Sequence, residues 1–408
     1  MQTNLADFVR DTPQGREADR ILRSCVHCGF CTATCPTYQV LGDELDGPRG
    51  RIYQIKQMLE GEAVSRANQV HLDRCLTCLN CVTTCPSGVE YHKLVDIGRE
   101  VMERRVPRPL PARALRWALR RVLPYRRRFA PLLALGRAVR PLAPAALRAK
   151  IPPRQQVPAP RPGAGPRRVL MLEGCVQPAL TPRTNAVARE VLGRLGAQVI
   201  GAPGAGCCGA VSQHLTAPEE ARRFMRRNID AWWPHLEAGA EAIVVTASGC
   251  GALVKEYGYH LREDPRYAAK AARVAALTRD LAEVVDGEAL GRLGSTAPRR
   301  IAFHAPCTLQ HGQKLKGAVE RLLVAAGFEL VAVADPHLCC GSAGTYSILQ
   351  PGLAGELRER RLQALEAQGP ALIATANVGC QTHLAAAAGV PVVHWIELFA
   401  ADAPRQRA

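Results

Sequence analysis

Aromatic side chains are scarce in this chain of 408 residues, at 5%. Acidic residues are missing altogether from Arg104 to Arg168, a stretch that carries 18 Lys and Arg. No apolar run approaches the ~18 residues that suggest a membrane-spanning helix. The segment from Met1 to Arg20 is polar and mixed in charge, so no export signal is expected there. A reducing cytoplasm is therefore the expected setting, and the 16 cysteines read as metal ligands rather than as a disulfide scaffold. No nicotinamide or flavin pattern stands out. Gly204-Ala-Gly206-Cys-Cys-Gly209 fits G-x-G-x-x-G, but no acidic residue follows at the distance a dinucleotide site needs. The net charge of +17 suggests nucleic acid, yet it resides in the one acid-free segment and the rest of the chain is nearly neutral. With so few aromatics, nucleic acid is not expected as a partner.

Cysteine is what the chain has. Cys25, Cys28, Cys31 and Cys35 precede Pro36, and Cys75, Cys78, Cys81 and Cys85 precede Pro86. Each run is C-x2-C-x2-C-x3-C-P, the spacing that holds a 4Fe–4S cluster, and in two-cluster ferredoxins the fourth cysteine serves the other cluster. The pattern thus assigns Cys25, Cys28, Cys31 and Cys85 to one cluster and Cys75, Cys78, Cys81 and Cys35 to a second. Between the runs, Ile52 to Glu60 reads as helix, and Tyr91 to Arg105 does so after them. Residues 1–103 are expected to form a helical module.

Residues 104–167 read as a basic, proline-rich linker. Within it Ala112 to Leu123 is amphipathic, with Leu115, Leu119, Val122 and Leu123 opposite Arg113, Arg116 and Arg120. Pro152 to Pro166 is expected to be extended. From Arg168 onward the chain repeats itself. Cys175 answers Cys307, Cys207-Cys208-Gly209 answers Cys339-Cys340-Gly341, and Cys250 answers Cys380. Two homologous domains are expected, over 168–290 and 298–401. Short apolar runs alternate with helical stretches in each: Val169–Leu172, Val199–Ile200 and Ile243–Thr246, then Ile301–Phe303, Leu330–Val333, Leu372–Thr375 and Val392–Val393. Alternation of this kind implies parallel sheets. The overall class is therefore α/β, with an N-terminal helical di-cluster ferredoxin module followed by two parallel-sheet cysteine-rich domains. The cysteines follow the strands, where open parallel sheets gather their ligands. Each Cys-Cys-Gly turn should use a glycine with positive φ so that both sulfurs face one way. His304 and His311 flank Cys307 and read as ordinary hydrogen-bonding residues.

The set Cys175…Cys207-Cys208-Gly209…Cys250, with its second copy, resembles the paired cysteine-rich CCG domains of heterodisulfide reductase subunits and of flavin-linked dehydrogenase complexes. Cys25-Val-His-Cys-Gly-Phe-Cys-Thr-Ala-Thr-Cys-Pro-Thr-Tyr, Gly42-Asp-Glu-Leu-Asp-Gly-Pro-Arg-Gly-Arg-Ile-Tyr, Ser248-Gly-Cys-Gly and Thr375-Ala-Asn-Val-Gly-Cys-Gln-Thr-His resemble the iron–sulfur subunits of bacterial glycolate oxidases. That family's motif ends in a fifth cysteine, whereas this chain has Leu253 and His383 there. Four thiolates suffice for a cube or for zinc, and His383 is either a ligand or a satisfied polar residue.

The resemblance implies an electron-transfer subunit with two 4Fe–4S clusters and a further cluster, or zinc, in one or both CCG domains. It also implies an FAD-containing partner that oxidises glycolate to glyoxylate, and a quinone or other membrane acceptor. Sibling complexes acting on D-lactate or glycerol 3-phosphate, and a heterodisulfide reductase-like subunit, are the alternatives. The basic segment suits peripheral contact with the inner membrane or with a partner subunit.

Overall fold

The computed structural model describes residues 1–144, 148, 151–158, 163 and 165–400. The N-terminal module is helical. Pro13–Ser24, Pro48–Leu59 and Tyr91–Arg105 pack around Ile21, Leu22, Ile55, Met58, Leu59, Leu94 and Val95. Proline opens the first two helices, where its missing N–H leaves no bond unmade. The Asp46-Gly-Pro-Arg-Gly-Arg segment now has a physical account. Asp46 is fully buried and accepts from Arg51 at 3.3 Å and from Arg74 at 2.7 Å. A Cβ on Gly50 would stand 2.1 Å from the Glu44 carbonyl, so only glycine fits.

Two four-stranded sheets follow, both wholly parallel. The first contains β1 (Arg167–Leu172), β2 (Ala197–Ile200), β3 (Ala242–Val245) and β4 (Thr278–Asp280), in the order β2-β1-β3-β4. The second contains β5 (Arg300–His304), β6 (Glu329–Leu330), β7 (Ile373–Thr375) and β8 (Val392–His394), in the order β6-β5-β7-β8. Val169 to Leu172 and all of β3 are buried, as expected of central strands covered on both faces. β4 had no apolar run to announce it, because its residues are Thr-Arg-Asp. β6 is shorter than the expected Leu330–Val333. The chain leaves β1 toward β2 on one side and returns to β3 on the other, which makes a switch point at the carboxyl ends of the strands.

The two repeats share one core. Val187 and Val191 of the helix Pro182–Arg194 belong to the same apolar cluster as Trp395 and Phe399 from the end of the second repeat. Ser248 donates its backbone N–H to the Ala376 carbonyl at 3.2 Å, and Thr184 donates to Glu397 at 2.6 Å.

Among the described residues the basic segment forms the α-helices Leu110–Val122 and Arg126–Val139. Its arginines turn inward more than amphipathicity suggested. Arg108 binds Asp73 and Glu103, Arg116 binds Asp73 at 3.0 Å, and Arg120 binds Glu220 at 3.1 Å. Apolar residues face solvent instead, with Leu110 74%, Trp117 56% and Leu135 62% exposed. Part of the expected extended stretch, residues 159–162 and 164, lies outside the described residues.

Candidate metal centres

The two ferredoxin runs share one backbone form. His27 and Thr77, two residues after the first cysteine of each run, have φ of 57° and 53°. Gly29 and Leu79, two residues further on, have φ of 86° and 64°. Left-handed turns at both places swing successive thiols to one side. A non-glycine residue there costs roughly 1–2 kcal/mol, and such strain concentrates at functional sites.

Cys25, Cys28, Cys31, Cys81 and Cys85 line one cavity, with Pro86 and Tyr91 also in its wall. Burial pushes the Cys31 thiol up to about 11, and repulsion from Cys25 and Cys85 adds to this. Cys35 is an electrostatic neighbour of both Cys78 and Cys81. Burial raises both of those thiols strongly. Cys75 differs: burial opposes its ionisation, yet the Arg51 and Arg99 cations hold it below the usual thiol value. Arg99 donates to the Cys75 carbonyl at 2.7 Å.

Each parallel sheet gathers four more thiols at its switch point. In the first crevice Cys207 is in hydrogen-bonding contact with Cys175 and Cys208, and Cys208 with Cys250. In the second, Cys307 approaches Cys339 at 3.8 Å, Cys339 contacts Cys340, and Cys340 contacts Cys380. The Cys-Cys-Gly turns do what their glycines suggested. Gly209 and Gly341 have φ of 103° and 87°, and each donates its N–H to the first cysteine sulfur of its turn at 3.4 Å.

The fifth-cysteine positions are otherwise engaged. Leu253 is buried in the apolar cluster that contains Cys208. The His383 Nε2 faces the Ala354 carbonyl at 3.1 Å. The imidazole among the second set of thiols is His304: one of its nitrogens and the sulfurs of Cys340 and Cys380 lie within 4.8 Å of one another. His304 is fully buried, and its Nε2 has no hydrogen-bond partner. Arg361, 3% exposed, donates from Nε to His304 Nδ1 at 3.2 Å and leaves Nη2 unpartnered. Among the described residues Arg361 forms no salt bridge with a carboxylate, and its electrostatic neighbours are the sulfurs of Cys340, Cys339 and Cys380 together with Asp335. Cysteine sulfurs beside a buried cation suit an anionic iron–sulfur centre. Nothing in the sequence marked Arg361, which sits in the middle of an ordinary helix. His311 proves to be a hydrogen-bonding residue, set between Thr83 Oγ1 at 2.8 Å and the His337 carbonyl at 3.2 Å.

The second ferredoxin set and the second crevice meet. Cys78 is an electrostatic neighbour of Cys307 and of Cys339. Leu76 and the partly buried Cys78 pack with Cys307, Cys339 and Tyr346 in one cluster. The first crevice lies further off. His214, beside Cys208, stands between it and Asp96 and Arg99 of the ferredoxin module. Tyr125 of the basic segment packs on the first crevice with Phe224, their rings 5.6 Å apart.

Comparison with known proteins agrees with this architecture. The 4Fe–4S dicluster domain family matches residues 21–89, and the cysteine-rich CCG domain family matches residues 169–255 and 301–385. The glycolate oxidase iron–sulfur subunit of Escherichia coli (strain K12) is 57% identical over 399 residues, which cover 98% of each chain. The chain belongs to the glycolate oxidase iron–sulfur subunit family. A probable glycolate oxidase iron–sulfur subunit of Bacillus subtilis (strain 168) is 29% identical, over 88% of this chain and 87% of its own. Lactate utilization protein A of Geobacillus kaustophilus (strain HTA426) is 29% identical over 47% of this chain and 79% of its own. This is an oxidoreductase subunit with a dicluster domain and a duplicated cysteine-rich domain.

Proposed function

We propose that this chain carries electrons from a glycolate-oxidising flavoprotein toward a membrane quinone or similar acceptor. The observation that carries the reading is the continuity of its thiol sets. The Cys25 set adjoins the Cys81 set, and the Cys78 of that set faces Cys307 and Cys339. Oxidising a 2-hydroxy acid to a 2-oxo acid releases two electrons, normally as a hydride to flavin. This chain offers thiols and no flavin pattern, so the oxidation belongs to a partner subunit. A 4Fe–4S cluster, when bound, takes up and releases one electron at a time.

Cys25, Cys28, Cys31 and Cys85 would hold the first cluster, and Cys75, Cys78, Cys81 and Cys35 the second. The pairing of Cys85 with the Cys25 set and of Cys35 with the Cys78 set supports the crossed assignment. Cys175, Cys207, Cys208 and Cys250 form the third ligand set, and Cys307, Cys339, Cys340 and Cys380 the fourth. Cys28 is exposed, and Val26 and Phe30 beside it are 67% and 62% exposed. That rim suits the docking of the flavoprotein.

Among the described residues no helix is long and apolar enough to cross a membrane. The exposed Leu110, Leu115, Trp117, Leu132 and Leu135, near exposed Arg113, Arg121 and Arg126–Arg128, suit peripheral attachment to the inner face of an anionic bilayer.

The test mixes the anaerobically purified, iron-loaded chain with glycolate, with and without the flavoprotein that co-purifies with it. Bleaching of the iron–sulfur absorbance is expected only when both are present. Bleaching by glycolate and the chain alone would overturn the reading.

A further inference from the structure

The two crevices derive from one ancestral unit, yet the second has a histidine–arginine pair, His304 and Arg361, whose places in the first are held by Leu172 and Asn228. His304 is the last residue of β5, and Leu172 holds the same place in β1. Arg361 stands ten residues into the helix that begins at Pro351. Asn228 stands ten residues into its counterpart, which begins at Pro218. Asn228 spends its side-chain amide on the Cys207 carbonyl and on Tyr257, both neutral groups. Arg361 is clamped by the Ala334 and Asp335 carbonyls, at 3.1 and 2.8 Å, and presents Nε to His304.

That one bond decides what His304 can do. A guanidinium has donors only and stays protonated in proteins. Its Nε–H therefore needs a lone pair on His304 Nδ1, which places the ring proton on Nε2. To ligate a metal through Nε2 the ring would need its proton on Nδ1, where two N–H groups would then collide. Nε2 is buried and without a partner, and one nitrogen of the ring lies within 4.8 Å of the sulfurs of Cys340 and Cys380.

We propose that His304 donates its Nε2–H to a cysteine sulfur of the second crevice, and that with Arg361 it raises the electron affinity of this crevice. The proposal rests on the reading of the crevice as an iron–sulfur site. Taking up one electron from the neighbouring ferredoxin set adds one negative charge. A fixed donor and a buried cation stabilise that charge, and hydrogen bonds to sulfur and local charge are established determinants of iron–sulfur potentials. In the first crevice Leu172 and Asn228 hold those two places, and an ionisable neighbour of its thiols is His214, beside Cys208. His304 is thus a positioning and tuning residue rather than a ligand.

The experiment is an EPR-monitored redox titration of the iron-loaded complex, with iron counted per chain. The signal of the second crevice is identified by its loss in Cys340→Ser. His304→Leu, which copies the first repeat, should keep its iron. At a fixed potential its reduced-to-oxidised ratio for that signal should fall about tenfold, since a hydrogen bond to a charged group is worth about that factor. For one electron this is a shift of about 59 mV to lower potential. His304→Gln, which retains an N–H, should stay near wild type, and the other signals should not move. An unchanged potential in His304→Leu overturns the proposal. So does loss of iron from this crevice in both variants, which would make His304 a ligand. If Cys340→Ser removes no signal and the crevice contains zinc, the redox reading of the crevice fails as well, and the two failures are told apart by metal analysis.

Discussion

The two crevices share a fold, four thiols and a Cys-Cys-Gly turn, and differ in what surrounds them. Around the first stand Leu172, Asn228 and Leu253, with Tyr125 of the basic segment packed over it. Around the second stand His304, Arg361 and the ferredoxin residues Leu76 and Cys78. Duplication preserved the geometry that presents thiols, which depends on strand ends and on two glycines that no other residue could replace cheaply. A Cβ on Gly341 would lie 2.6 Å from the Ala354 carbonyl. What diverged is electrostatic and costs the fold little to vary. A repeated metal-site scaffold can therefore hold chemically similar centres in different electron-accepting states.

The largest expected consequence is a difference in throughput. Cys340→Ser in the second crevice should reduce glycolate-driven acceptor reduction by the assembled complex at least ~100-fold, equivalent to about 2.7 kcal/mol. It should also disturb the EPR signal of the adjoining ferredoxin set. Cys208→Ser in the first crevice should leave that signal intact and cost less throughput. Equal losses from both substitutions would place the two crevices in series and dissolve the distinction drawn here.

How much of this could be read in the sequence depended on whether neighbours in space were also neighbours in the motif. The cysteine runs, the duplication, seven of the eight strands among the described residues and the helix Tyr91–Arg105 follow from spacing and periodicity. The Thr-Arg-Asp strand β4 carries no apolar signal, because an edge strand can be stabilised by its ladder alone. In the sequence His304 reads as an ordinary hydrogen-bonding residue, since its partner Arg361 lies 57 positions away. His383 drew attention through its motif position, yet its Nε2 is met by the carbonyl of Ala354. The basic segment misled in a different way. Amphipathic periodicity shows that a helix has two faces without telling which one the protein will cover. Here Asp73 and Glu220 drew Arg108, Arg116 and Arg120 inward.

That orientation gives the second prediction, which concerns only the first crevice's side of the molecule. Replacing Leu115, Trp117, Leu132 and Leu135 together with Ser should weaken sedimentation with anionic vesicles more than tenfold. Each large apolar side chain is worth roughly 1.5–3 kcal/mol when buried, and the expected loss assumes only partial burial in the headgroup region. Raising salt from 0.1 M to 1 M should weaken wild-type binding too, because the Debye length falls from about 10 Å to about 3 Å. Arg116→Gln should lower stability rather than vesicle binding, since its charge is spent on Asp73. Vesicle binding that is unaffected by the four serines would assign the exposed face to a partner subunit.

A last expected effect, on stability rather than on turnover, lies at the fourth strands, where the repeats end on different titratable groups. Asp280 closes β4, and burial pushes its carboxyl up to about 6 despite bonds from the Ala282 N–H and from Gln313. His394 closes β8, and burial lowers its imidazole to about 4 while its Nε2 meets the Thr246 carbonyl at 2.9 Å. An aspartate whose pKa is higher folded than unfolded stabilises the fold fully below its unfolded value near 4 and loses that contribution as pH rises through about 6. A histidine whose pKa is lower folded than unfolded does the reverse: its contribution is complete above about 6.5 and is lost as pH falls through about 4. Each group changes stability by on the order of 2–3 kcal/mol across its window, and in the wild type the two slopes oppose each other. Asp280→Asn should therefore gain on wild type in thermal unfolding as pH rises from 4 to 6.5, and His394→Gln should gain as pH falls over the same range. Measuring each variant as a difference from wild type removes the titration of every other carboxylate. Parallel curves for wild type and both variants would show that the strand ends do not titrate as their burial requires.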